Sequence, residues 1–297
     1  MTYNNILQTI GNTPLVRINK LNKKNQVNIF AKIEGQNQGG SIKDRIALKM
    51  IESAEASGLL SHDKTIIEAT SGNTGIALAM IGAVKGYRVV IVMSAAVSIE
   101  RQKMIKAFGA EIVLTDGTKG TDGAIIKVHE LVADNPEKYF HANQFSNEAN
   151  KIAHYETTAE EIWKQTGGDI DYFVAAIGTS GTLMGVGEYL KKYNPQVRIV
   201  SAEPEVGHYI QGLKNMEEAI VPAIYDKNKI DDIIMINTKK AYEMALQIIK
   251  NEGIFVGMSS GAAMLATLKV VEKIDSGNIV TIFPDRGEKY LSTKLFG

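Results

Sequence analysis

The chain has 297 residues, 44% hydrophobic and 22% charged, which suits one large domain or two ordinary ones and excludes disorder or a fibrous architecture. Its 33 basic residues balance 33 acidic ones, so no global field draws nucleic acid or an anionic membrane. Cysteine is absent, which excludes disulfides and thiolate–metal sites and leaves the redox compartment open.

The start, Met1 to Asn5, carries neither a basic n-region nor an apolar h-region, so no secretory signal is expected. The longest apolar stretch, near Gly75–Val84, is far too short to span a membrane. A cytoplasmic enzyme is the expectation. Val27–Glu34 reads as a strand and Ser41–Ser57 as a helix ended by Gly58. Thr65–Ala69 is a short apolar strand leading through a polar turn into a helix from about Asn73. Further strands are expected at Tyr87–Met93, Glu111–Thr115, Tyr139–His141, Tyr172–Ile177 and Val197–Glu203, with helices at Ile99–Phe108, Lys119–Ala133 and Thr182–Tyr193. A strand at Ile233–Ile236, a helix to Asn251, another from about Ser260 and a strand at Asn278–Phe283 close the series. The β-α order with short buried strands predicts parallel sheets covered by helices. One sheet would need too many strands, so two α/β domains are expected, with a seam near Asn143–Glu148. Ligands in such sheets collect at the carboxyl ends of strands.

Four segments fall at such ends. In N-Q-G-G-S-I-K-D-R (Asn37–Arg45), Lys43 sits at a helix start, where the dipole disfavours a cation and eases deprotonation. A neutral amine is what Schiff-base chemistry needs; alone, the lysine reads as a surface residue in a first turn. T-S-G-N-T-G (Thr70–Gly75) gathers hydroxyls, an amide and unpaired N–H groups into a cradle for a carboxylate or phosphate, or else forms a capped turn. G-T-S-G-T (Gly178–Thr182) lacks a Walker lysine and G-x-G-x-x-G spacing, since Gly185 and Gly187 fall inside the helix, yet it suits a phosphorylated cofactor. G-M-S-S-G (Gly257–Gly261) matches G-x-S-x-G, but no histidine follows Ser259, so a nucleophile elbow fails. His129-Glu130 has no second histidine at ligand spacing, and no metal site is expected.

Taken in this order, the segments resemble the cysteine synthase and cystathionine β-synthase family, pyridoxal-phosphate (PLP) enzymes of the tryptophan-synthase-β-like fold, fold type II. The likeness extends to I-G-N-T-P-L-V (Ile10–Val16), Ser98–Thr115, N-Q-F (Asn143–Phe145), A-E-P (Ala202–Pro204), Glu252–Ala263 and P-D-R-G-E-K-Y-L-S-T (Pro284–Thr293). It implies a smaller α/β domain over 43–146 and a larger one over 1–42 and 147–297, and a homodimer. The chain ends four residues after the last motif, so no added regulatory domain is expected. By the resemblance, Lys43 forms the internal aldimine, Gly178, Thr179, Ser180, Gly181 and Thr182 bind the cofactor phosphate, and Asn73 bonds the ring hydroxyl. Thr70, Ser71, Asn73, Thr74 and Gln144 would grip the substrate carboxylate, and Ser259 would face the pyridine nitrogen. A serine there leaves the ring largely neutral, which favours loss of a β leaving group over transamination. Lys43, once released, would take the α-proton as general base, and a nucleophile would add to the resulting aminoacrylate.

The sequence departs from the family pattern at Gln38, which stands for a proline, at Thr121, which stands for an apolar residue, and at Gly212–Ile220, which replaces G-I-G-A-G-F. This is closer to the permissive second branch of cysteine synthases. The stretch after Gly212 is acidic, with Glu217, Glu218, Asp226, Asp231 and Asp232. Asp232 is the acid expected to reach the site and activate water or a thiol; the alternative is a solvated acidic stretch. The expected reaction is β-replacement making cysteine from an O-activated serine and sulfide. The alternatives are a cysteine lyase releasing hydrogen sulfide, a serine or threonine dehydratase, and a non-catalytic PLP-binding relative.

Overall fold

The computed structural model describes residues 2–70 and 72–297. Among these described residues ten strands build two sheets. In the first half these are β1 (Leu15–Ile18), β2 (Val27–Ile33), β3 (Thr65–Ala69), β4 (Arg88–Ser94), β5 (Glu111–Thr115) and β6 (Tyr139–His141). They are followed by β7 (Tyr172–Ala176), β8 (Arg198–Pro204), β9 (Asp232–Ile236) and β10 (Gly277–Phe283). One sheet has the order β1-β2-β10-β7-β8-β9 and the other β5-β4-β3-β6. All pairings are parallel except β1 on β2. Strand β3 is buried along its whole length, as expected of a parallel strand covered on both faces.

Helices α1 (Lys43–Ala56), α2 (Asn73–Lys85), α3 (Ile99–Ala107) and α4 (Gly120–Asp134) accompany the smaller sheet. Helices α5 (Glu148–Ala153), α6 (Glu160–Thr166), α7 (Gly181–Tyr193), α8 (Thr238–Glu252) and α9 (Met258–Lys273) follow. Helix α8 shows why such segments are helical. It buries Ala241, Met244, Ala245 and Ile248, an i, i+3, i+4, i+7 stripe. Asn237 caps its start by accepting from the Lys239 and Lys240 N–H groups, and Gly253 in the left-handed region ends it.

Two elements differ from expectation. Strand β1 was not anticipated, because an edge strand buried only at Ile18 has no apolar pattern to read. The stretch from α5 to α6 is continuous helix interrupted by a π-helical segment, His154–Ala159, which shifts the register of its buried side chains and hides the usual period. No helix among the described residues is long and apolar enough to cross a membrane.

Candidate active site

The carboxyl ends of β3, β7 and β10 converge on a solvent-open cleft. The cleft is lined by Lys43, Thr70, Asn73, Thr74 and Gln144 from one side. Gly178, Thr179, Ser180, Thr182 and Ser259 line it from the other. Gly181 sits just behind, its Cα pressed against the Asn150 amide. Ser71 lies outside the described residues.

Lys43 is the first residue of α1. Burial lowers its amine from 10.5 to about 8, with the carboxylate of Asp285 pulling the other way. Asn73 is held at both ends of its amide: Nδ2 donates to Asp285 Oδ2 at 2.7 Å, and Oδ1 accepts from Lys289 Nζ at 3.0 Å. That leaves one N–H for the cleft. Lys289, itself buried, also donates to the carbonyls of Gly39 and Gly40, both at 2.9 Å, and so ties the turn before Lys43 to Asn73.

Thr74 Oγ1 donates to Gln144 Oε1 at 2.7 Å, and Gln144 Nε2 donates to the Ala69 carbonyl at 2.9 Å. Asn143 takes a left-handed φ of 53° to present Gln144, whose N–H donates to buried Glu68 at 3.2 Å. Asn150 joins this loop to the glycine turn, donating to Gln144 O at 2.7 Å and Thr179 Oγ1 at 3.0 Å.

The turn at Gly178–Thr182 fits a phosphate. Ser180 adopts φ 69° directly before α7, so the unpaired N–H groups of that helix start face the cleft. The Ser180 hydroxyl is buried with no protein partner, a donor awaiting an acceptor. A Cβ at Gly178 would lie 2.5 Å from the Gly212 carbonyl, so the cup tolerates glycine alone there. His154, fully buried and held well below its usual pKa by burial and by neighbouring Lys43 and Arg45, meets Thr182 Oγ1 at 3.2 Å.

The G-x-S-x-G match has a packing explanation. A side chain at Gly257 would strike Asp285 and Tyr290, and one at Gly261 would strike the Ala241 carbonyl where α8 and α9 cross. Gln38 is exposed, where a proline is not required, and Thr121 lines the cleft.

Asp232 is not brought to the site. It opens β9, opposite Val200 rather than at a carboxyl end, and pairs with Arg198 at 2.9 Å on the surface. Three of the other acids are occupied too: Glu218 accepts from Gly207 N–H, Asp226 caps a 3-10 turn and Asp231 pairs with Lys191. None of the five acids lines the cleft. The Gly212–Ile220 segment contributes Lys214 instead, whose Nζ lies 3.1 Å from Asp122 of α4.

Asn150, His154, Asp285 and Lys289, which brace the cleft, are among the residues that sequence reasoning missed. The last two sat inside the quoted Pro284–Thr293 motif, and Asn150 and His154 are spaced i, i+4 on one helical face.

An α/β fold with a half-buried lysine of lowered pKa between two polar turns that open helices suits an enzyme with a phosphorylated aldehyde cofactor, and residues 6–285 match the family "Pyridoxal-phosphate dependent enzyme". The chain belongs to that family. It is 50% identical to the cysteine synthase of Aquifex aeolicus across 98% of this chain and 91% of that protein. A hydrogen sulfide-producing enzyme from Fusobacterium nucleatum superposes with a TM-score of 0.93 at 44% identity, over 98% of this chain and all (100%) of that one. O-ureido-L-serine synthase superposes equally well, TM-score 0.93 at 41% identity, over 100% and 96% of the two chains.

Proposed function

We propose that this chain is a cysteine synthase-like β-replacement enzyme, acting on an O-activated serine and sulfide to give L-cysteine. The observation that carries the reading is Lys43: an amine lowered to about 8, at a helix start, lining a cleft between two polar turns that each open a helix. Bound pyridoxal phosphate supplies the electron sink that acidifies the substrate's α-carbon. Gly178 to Thr182 would hold its phosphate, the free Asn73 N–H its ring hydroxyl and Ser259 its ring nitrogen. Thr70, Ser71, Asn73, Thr74 and Gln144 would bind the substrate carboxylate. Lys43 Nζ takes the α-proton, the β substituent leaves, and Nζ returns the proton once the nucleophile has bonded to the β-carbon. The rigid Thr74–Gln144–Ala69 chain supports this reading, because it fixes one wall of the cleft before substrate arrives.

A second reading, cleavage of L-cysteine with release of hydrogen sulfide, is favoured by the likeness to the Fusobacterium enzyme. Steady-state rates with O-acetylserine plus sulfide against L-cysteine alone separate the two. Activity in neither assay would refute both. Replacing Lys43 by Ala is expected to abolish turnover and the visible band of the bound cofactor. Residues 43–146 and the remainder are assigned as smaller and larger domains; all four strands of the smaller sheet fall in the first stretch, which supports the division. A cytoplasmic homodimer completes the assignment, testable by sedimentation.

A further inference from the structure

The segment that departs from the family pattern, Gly212–Ile220, forms an arch along the rim of the cleft, which Gly212, Leu213 and Lys214 line. Its near end is fixed to the larger sheet. Lys214 N–H donates to the Ile177 carbonyl at 2.9 Å, just past β7. Buried Asn215 donates through Nδ2 to the Pro204 carbonyl at 2.9 Å, and Met216 N–H donates to Glu203 at 3.2 Å, both at the end of β8. Beyond the far end, Ala223 N–H donates to the Phe145 carbonyl at 2.9 Å, which returns the chain to the Gln144 loop.

Lys214 joins this arch to the opposite side. Its side chain is 9% exposed and lines the cleft, while that of its partner Asp122 is 40% exposed, so the 3.1 Å pair stands where the cleft meets solvent. Asp122 lies in the first turn of α4, beside Thr121, which also lines the cleft. Lys214 Nζ donates to the Ile220 carbonyl at 3.1 Å as well, and lies 4.9 Å from the Phe145 ring centroid. An acid, a carbonyl and an aromatic face thus engage its three N–H donors, so it serves as a clasp rather than as a free cation in the cleft. The clasp links a helix on the smaller sheet to an arch anchored on the larger one. A reactant passing this rim meets the Lys214 stem and the Phe145 ring, an obstruction that sorts by size.

We propose that the Lys214–Asp122 pair is a size filter for the acceptor of the β-replacement, admitting sulfide and holding larger thiols away from the substrate's β-carbon. The assignment rests on the β-replacement reading and narrows its second substrate. With O-acetylserine, the β C–O bond breaks and acetate leaves with the electron pair, while the acceptor sulfur sheds a proton and bonds to the β-carbon. Sulfide then gives cysteine, and benzyl mercaptan gives S-benzylcysteine. Lys214 and Asp122 act on entry and take no part in the bond making.

The test compares kcat/KM for benzyl mercaptan with that for sulfide, using holoprotein saturated with O-acetylserine. Asp122→Ala and Lys214→Met remove opposite charges but break the same pair. Both are expected to raise the thiol-to-sulfide ratio about tenfold, and Asp122→Glu, which keeps a carboxylate, to leave it near the wild-type value. A joint rise supports the filter. Opposite shifts would assign the preference to rim charge and overturn it, as would a rise in one variant alone or in neither. If Lys214→Met takes up no cofactor, Asp122→Ala against Asp122→Glu decides: a rise in the first alone supports the filter, and a shared rise or none overturns it. Amide hydrogen exchange over 213–221 gives a reading free of turnover. It should quicken in Asp122→Ala and not in Asp122→Glu; unchanged exchange in Asp122→Ala overturns the clasp. Wild type that makes no cysteine from O-acetylserine and sulfide overturns the β-replacement reading and this one with it. Active wild type with an unchanged ratio in Asp122→Ala overturns this one alone.

Discussion

Lys43 must be uncharged to attack an aldehyde, and burial brings its amine down to about 8 while Asp285 limits the fall. Below that value the ammonium form dominates and cannot attack. Stripped of cofactor, the protein is therefore expected to take up pyridoxal phosphate faster as pH rises through about 8. Asp285→Asn should move the midpoint lower, because it removes the anion that favours the ammonium. Stopped-flow absorbance across pH reads both. Ten of the residues expected at the site line one cleft because they sit in short polar motifs at strand ends, where local order alone predicts convergence. Asp232 was misplaced for the converse reason. An acidic run reads the same whether it faces substrate or water, and here Arg198 takes it. Asp232→Asn is expected to leave sulfide release from cysteine unchanged and to cost about 0–1 kcal/mol in urea unfolding, as exposed pairs do. The role of Lys289 was illegible, although its motif was read, because it arises from contacts with a turn far away in the chain, Gly39 and Gly40.

At the scale of elements, β3 places a carboxyl where a parallel strand has no solvent. Glu68 is 0% exposed, and it accepts from the N–H groups of Ala69 at 3.0 Å and Gln144 at 3.2 Å. Burial outweighs these bonds and raises its pKa from 4.5 to about 8. A carboxyl raised on folding stabilises the fold fully below its unfolded value, and that contribution is lost as pH climbs through the folded one. The window here is 4.5 to about 8. Within it the wild type should lose up to about 1.4 kcal/mol per pH unit from this group. Glu68→Gln, which does not ionise, should flatten the slope, and urea melts at stepped pH would show it. Unequal slopes are the signature; equal ones would mean that Glu68 titrates as if in water. The sequence named β3 correctly because its apolar residues fill both faces, and one acid among them did not change the pattern. It was silent on 148–166, where the π-helical segment breaks the spacing from which a helix is recognised.

Across the whole molecule, two sheets were legible from the number of strands, but their neighbours were not. The last strand, β10, inserts between β2 and β7, which sets Asp285 beside Ser41 and so beside Lys43. Nothing in chain order announces that insertion. The same long-range closure creates a buried ionic network linking β2, α1 and α6. Glu161 Oε2 lies 2.6 Å from Lys32 Nζ, and its Oε1 lies 2.6 Å from Arg45 Nη1. Arg45 also meets Glu34 at 2.7 Å, two residues along α1 from Lys43. The two cations pull Glu161 down from 4.5 to about 2 despite its burial. A lowered carboxyl contributes stability above its unfolded pKa and loses it as pH falls through the folded one. Glu161→Gln would strip Lys32, which is 0% exposed, of the carboxylate that pairs with it. Breaking such a pair on one side costs about 3–5 kcal/mol. The variant is therefore expected to unfold at markedly lower urea near neutral pH. The gap from wild type should narrow as pH drops from 4.5 toward about 2, because the wild-type carboxyl is then neutralised as well. A gap that stayed constant over that range would assign the loss to packing rather than to charge.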